Sequence, residues 1–137
     1  MNRITLLLIV VVGMHIVGCN DKDDKDEVDY FTLLTKPTWV SDSLLANGLD
    51  ASGPDGALVN FKGEAKFRTD GTGTFGTYDG TWTLSNTQIT INSPDFFIPI
   101  NAEIVELNTS SLKITTVVPD INNLPEVLNI RMTFKAK

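Results

Sequence analysis

Apolar and polar side chains alternate with period two over most of the chain beyond Trp39. From Phe61 to Arg68 the alternation is cleanest. Phe61, Gly63, Ala65 and Phe67 fall on one face, and Lys62, Glu64, Lys66 and Arg68 fall on the other. That is the signature of a strand with one buried and one wet side. The same rule turns Trp82 and Leu84 inward within Thr81–Leu84, and Ile89 and Ile91 inward within Gln88–Asn92. It turns Ile98, Ile100, Ala102 and Ile104 inward in the next segment, then Leu112, Ile114, Thr116 and Val118, then Leu128, Ile130, Met132 and Phe134. The phase slips at Ile104–Val105, so a bulge is expected there, with Val105 and Leu107 facing inward beyond it. Together with Trp39–Leu45 and Thr72–Tyr78, the pattern predicts eight strands.

Turn formers separate these segments. Asp70–Gly71 and Asp79–Gly80 are both expected to be tight hairpins, because a type I′ turn needs positive φ at its two central positions. Asn47–Gly56 and Pro119–Glu126 are the longer loops, and Ser85–Asn86, Ser93–Pro94–Asp95 and Asn108–Ser110 are further turns. Asp29–Thr35 has room for one or two helical turns, with Asp29 as its cap and Pro37 blocking its continuation. No helix long enough for a crossover lies between strands, which excludes a parallel sheet. The predicted fold is all-β: an eight-stranded antiparallel up-and-down barrel behind a short N-terminal helical turn. Closure removes exposed edges. Such a barrel is just wide enough to be filled by side chains or to hold one small ligand. A β-sandwich, using 47–56 and 119–126 as its long connections, is the alternative.

The N-terminal segment breaks the alternation. Arg3 precedes an apolar run from Ile4 to Val12, interrupted by Gly13–Met14–His15. A charged start before a short apolar stretch is the layout of a secretory signal. It is shorter than the roughly 20 apolar residues of a spanning helix. Ile16–Val17–Gly18–Cys19 then resembles the lipobox of bacterial lipoproteins. The resemblance implies cleavage after Gly18, acylation of Cys19 with a diacylglyceryl group carrying chains such as palmitate, and a membrane partner held through that lipid. Two or three acyl chains give anchoring that one cannot, at about 0.8 kcal/mol per buried CH₂. The expected organisation is a signal peptide over 1–18, a lipidated Cys and acidic tether over 19–29, and a barrel over 30–137. The tether carries six acids (Asp21, Asp23, Asp24, Asp26, Glu27, Asp29) against Lys22 and Lys25, too polar to bury. An acidic stretch directly after the lipidated Cys resembles the surface-export signal of Bacteroidota lipoproteins, which implies an outer-membrane protein facing the cell exterior.

Composition narrows the chemistry. The 137-residue chain has a net charge of −6, so a nucleic-acid partner, which needs clustered Lys and Arg, is not expected. His15 is the only His and Cys19 the only Cys, and on the lipoprotein reading the mature chain keeps neither a His nor a free thiol. Imidazole-based nucleophilic triads and thiolate or imidazole zinc sites are thereby excluded. Gly71–Gly76 is glycine-rich but is followed by no helix to cradle a phosphate, and Asp50–Gly56 lacks the late Glu of a calcium loop. Glu103 and Glu106 are the nearest paired carboxylates, with their common orientation left open by the phase slip. No enzyme, metal or cofactor is expected.

From Tyr30 to Lys137 the chain resembles the lipocalin-like domains of Bacteroidota lipoproteins. The resemblance rests on Leu33–Leu34–Thr35 leading to Trp39, on Phe67–Gly73, on Gly80–Leu84, and on a last strand, Ile130–Lys135, returning beside the first. Lipocalins carry Gly two residues before the Trp of the first strand, where Pro37 stands in this chain. The resemblance implies a barrel with an apolar small-molecule site and no catalytic residues. Its candidate lining is Trp39, Phe61, Ala65, Phe67, Phe75, Trp82, Ile114, Ile130 and Met132, with Gly63, Ala65, Ala102 and Thr116 as small positions that would leave space. Two functional classes stay open. One is a tethered binder of a small apolar or amphipathic ligand. The other is a non-enzymatic module with a solid core, holding a glycan or a protein on its outside. Phe96–Phe97 is either a contact patch or a plug at the barrel end.

Overall fold

A computed structural model describes residues 29–137. The expected signal peptide over 1–18, Cys19 and the expected tether as far as residue 28 lie outside them. A short helix, α1 (Tyr30–Thr35), precedes nine strands: β1 (Trp39–Ala46), β2 (Leu49–Asp50), β3 (Glu64–Phe67), β4 (Thr72–Phe75), β5 (Tyr78–Ser85), β6 (Gln88–Asn92), β7 (Ile100–Leu107), β8 (Ser111–Pro119) and β9 (Val127–Ala136). Every pairing is antiparallel, and all but β1 with β3 and β1 with β9 join chain neighbours. The β1–β9 ladder runs from Trp39 opposite Ala136 to Ala46 opposite Ile130 and closes the sheet. The result is a closed eight-stranded antiparallel barrel with one extra strand, β2, and not a two-layered sandwich.

Alternation sets the barrel's inside. Trp39, Leu44, Ala65, Phe67, Phe75, Trp82, Ile89, Ile91, Ala102, Ile104, Leu112, Ile114, Ile130, Met132 and Phe134 are all buried in one core. The expected bulge in β7 is present, with the register shifting between Ile104 and Glu106. Its consequence differs from expectation. Val105 is the extra residue and faces solvent at 54% exposure, while Leu107 packs partly against the core. Ile98 is also outside, because β7 begins only at Ile100.

Three turn assignments change. Asn47 (φ 52°) and Gly48 (φ 81°) form their own two-residue hairpin, folding β2 back on Leu45 and Ala46, where a plain loop was expected. The second Asp-Gly pair is not a turn. Phe75 pairs with Tyr78, so Gly76 (φ 64°) and Thr77 make the reversal, and Asp79 and Gly80 lie within β5. A Cβ on Gly76 would stand 2.1 Å from the Asn60 carbonyl oxygen, so close packing as well as φ requires glycine there. At Asp70–Gly71 only Gly71 has positive φ. Its amide donates to the Arg68 carbonyl (3.0 Å) and the Arg68 amide to Thr72 (2.9 Å), a three-residue turn with a bulge glycine. The strand expected from Phe61 starts only at Glu64. Val59–Phe61 is a 3-10 turn, and Gly63 (φ 115°) redirects the chain outside the strand.

The antiparallel order sorts the loops to two ends. α1 and the turns at 68–71, 86–87 and 108–110 share one end, hereafter the helix end. The 47–48 hairpin, the 51–63 segment and the loops at 93–99 and 120–126 share the other, the far end.

Candidate functional site

The helix end is shut by α1. Asp29 caps it, accepting from the Thr32 amide (3.0 Å) and the Thr32 hydroxyl (2.6 Å), and Pro37 follows its last turn. Those bonds hold the Asp29 carboxyl below its ordinary range. Leu34 is wholly buried, and its carbonyl accepts from Trp39 Nε1 at 3.0 Å. Trp82 Nε1 donates to the Arg68 and Thr72 carbonyls, and Phe31 stacks on the Trp82 ring at 5.6 Å. Both indoles therefore have satisfied N–H groups as well as buried area. Lys66 Nζ ties β3 to the Thr35, Lys36 and Pro37 carbonyls just past the helix.

The far end is shut by aromatics. Phe61, Tyr78 and Phe96 meet with ring centroids 4.8–5.9 Å apart, and Ala51 and Leu58 are buried beneath the same segment. The Phe96–Phe97 pair thus divides between both expected roles. Phe96 plugs the barrel, while Phe97 is 94% exposed.

All nine candidate lining residues turn toward the interior, Phe61 from its 3-10 turn and the rest from strands. The space left among Phe61, Ala65, Phe67, Phe75, Ile91, Ile114, Met132 and Phe134 is about 10 Å³. That is near the minimum for a single water and far below the roughly 300 Å³ of a small-molecule pocket. The small positions leave no room. Phe67 and Phe75 meet edge to face at 5.2 Å, and Phe67 meets Trp82 at 5.3 Å, filling the space around Ala65. Ala102 is fully buried against its neighbours, and Gly63 does not line the barrel.

Two shallow grooves of similar size are the roomiest described on the outer wall. One, of about 650 Å³, is lined by Gln88, Asn101, Glu103, Asn129 and Arg131 together with the apolar Leu45, Val117 and Ile130. The other, of about 690 Å³, includes Asp42, Lys113, Arg131 and Lys135. Neither has an aromatic face on which a sugar ring would stack.

The paired carboxylates have structural partners. Glu103 accepts from the Thr87 hydroxyl. Glu106 accepts from the Ser111 hydroxyl at 2.7 Å and pairs with Lys113 at 3.6 Å. The Ser111 bond, then Lys113, holds Glu106 below the ordinary range, the opposite of what a general acid needs. Asp50 accepts from the Ser52 hydroxyl (2.7 Å) and amide (3.0 Å), which likewise keeps it ionised. Among the described residues no three His, Cys, Asp or Glu side chains come together as a metal cage.

Exposed large apolar side chains concentrate at the far end. Leu49 (74%), Phe97 (94%), Ile121 (72%) and Leu124 (68%) are the most exposed, with Ile98 and Val127 beside them in sequence. Alternation in the strands gave no view of this, since all but Val127 and Leu49 lie in loops. The available signal was the apolar residues inside the three longer far-end segments: Leu49, Phe97 with Ile98, and Ile121 with Leu124.

The described chain is thus a small closed β-barrel, compatible with a lipocalin-like fold, with a filled interior and an apolar far end. No protein-family model and no curated protein matches it.

Proposed function

We propose that this protein is a membrane-tethered, non-enzymatic interaction module that engages its partner with the outside of a solid lipocalin-like barrel. The observation that carries this reading is the interior of about 10 Å³ between two closed ends. The lipobox-like Ile16–Cys19 and the acidic run after it support a lipoprotein of the outer membrane, exposed at the cell surface. The binding of a small apolar ligand inside the barrel is the reading it displaces.

The test uses the full chain extracted from membranes in detergent. Mass spectrometry is expected to find acylation at Cys19 and no apolar small molecule at stoichiometric yield. A co-extracted ligand would overturn the solid-module reading. Cys19→Ala is expected to abolish acylation and signal cleavage, and unchanged N-terminal processing refutes the lipid anchor. On intact cells, protease should reach the wild type but not a variant with Asp21, Asp23, Asp24, Asp26 and Glu27 replaced by Ala. A protected wild type refutes surface exposure.

A further inference from the structure

We infer that the far end of the barrel is a docking surface for a protein whose contact face is apolar and rimmed by Lys and Arg. The inference rests on the interaction-module reading and names the place and chemistry of the contact. Phe97 is the anchor. Its neighbour Phe96 is wedged against Phe61 and Tyr78, so the base of the 93–99 loop is fixed and Phe97 is held out from a firm support. Aromatic side chains displayed in this way supply much of the energy in protein contacts. The 120–126 loop is equally pinned. The Asp120 amide donates to the Glu126 carbonyl (2.9 Å), and the Asp120 carboxylate accepts from Asn122 N and Asn123 Nδ2. These bonds order the loop while Ile121 and Leu124 stay outside it. Exposed apolar loop tips gathered at one end of a barrel cost solubility unless something covers them.

Charge selects the occupant. The far-end segments carry Asp50, Asp55, Asp95, Asp120 and Glu126, against Lys62 alone. A second copy of this chain would bring the same acids face to face, which opposes self-association. An anionic lipid surface is opposed in the same way. A protein with basic residues around an apolar centre is favoured on both counts, and its association should weaken with salt.

The experiment uses the full-length protein in its own cells. Phe97, Leu124 and, at the helix end, Thr69 are each replaced in turn by photoreactive p-benzoylphenylalanine, and adducts are identified by mass spectrometry. The expected result is one protein attached at positions 97 and 124 but not at 69, through a segment with a surplus of Lys and Arg. Adding Asp95→Lys and Glu126→Lys should lower that adduct about tenfold. Unchanged circular dichroism and thermal melting of the purified charge variant would show that its fold is intact. Absence of adducts, equal yield at 69, an adduct indifferent to the charge reversal, or attachment to lipid or to a second copy overturns the inference. A small molecule found inside the barrel would instead sink the solid-module reading and leave the crosslinking pattern as it stands.

Discussion

Asp70 shows how much a single exposed side chain organises. Its Oδ1 accepts from the Thr72 amide at 3.0 Å and the Thr72 hydroxyl at 2.7 Å, closing the turn between β3 and β4. The Thr72 hydroxyl, then the Thr72 amide, holds its carboxyl below the ordinary 3.8. A carboxyl depressed by folding stabilises the native state above its unfolded pKa, and that contribution is lost as pH falls through the folded pKa. Asp70→Asn keeps an acceptor but cannot titrate. The wild type should therefore exceed Asp70→Asn in stability at neutral pH, and the gap should close on the acid side of 3.8. Urea denaturation across a pH series measures this; a gap that stays constant with pH contradicts it. Apart from Ile98 and Val105, which side chains face inward was legible residue by residue, as Trp39, Phe67, Ile114 and Met132 illustrate. Whether they leave a cavity was not, because that depends on how Phe67, Phe75 and Trp82 tilt against one another.

At the scale of elements, the eight barrel strands were readable because each has one wet face. Some of the errors fall where a glycine does something other than turn. Gly80 is one such position. It lies in β5, and a Cβ there would stand 1.9 Å from the Asn92 carbonyl oxygen and 3.2 Å from Ser93 Cα. Both are backbone atoms, so no rotamer change relieves the clash. The Asp-Gly sequence looked like a hairpin, but its glycine is required by the close approach of the chain leaving β6. Gly80→Ala is expected to destabilise the protein by at least about 1–3 kcal/mol, the usual cost of forcing extra volume into a packed site. Gly53→Ala, where a Cβ meets nothing within 4 Å, should be close to neutral. Chemical denaturation of the two variants compares them directly, and equal stability would show that β5 and β6 part more easily than their geometry indicates. The short β2 was missed for a different reason. Asn47–Gly48 carried a strong hairpin signal, but only two residues of strand follow it.

For the whole molecule, the decisive property is solidity. Ala65 sits at 3% exposure beside the residual 10 Å³, so Ala65→Phe has nowhere to place its ring. It should cost about 1–3 kcal/mol in a denaturant titration. An apolar fluorescent dye should bind neither form. An Ala65→Phe variant as stable as the wild type would instead reveal a hollow barrel. The closing ladder has a separate, mechanical meaning. The chain enters β1 from the helix end, while the apolar residues stand at the far end. Barrel strands tilt by about 35–45° from the axis, so a pull between those two ends has its larger component along β1. The β1–β9 pairs from Trp39 to Ala46 then share the load in shear and do not peel apart one at a time. Seam and grip are thus arranged so that tension is spread along the whole length of the closing ladder.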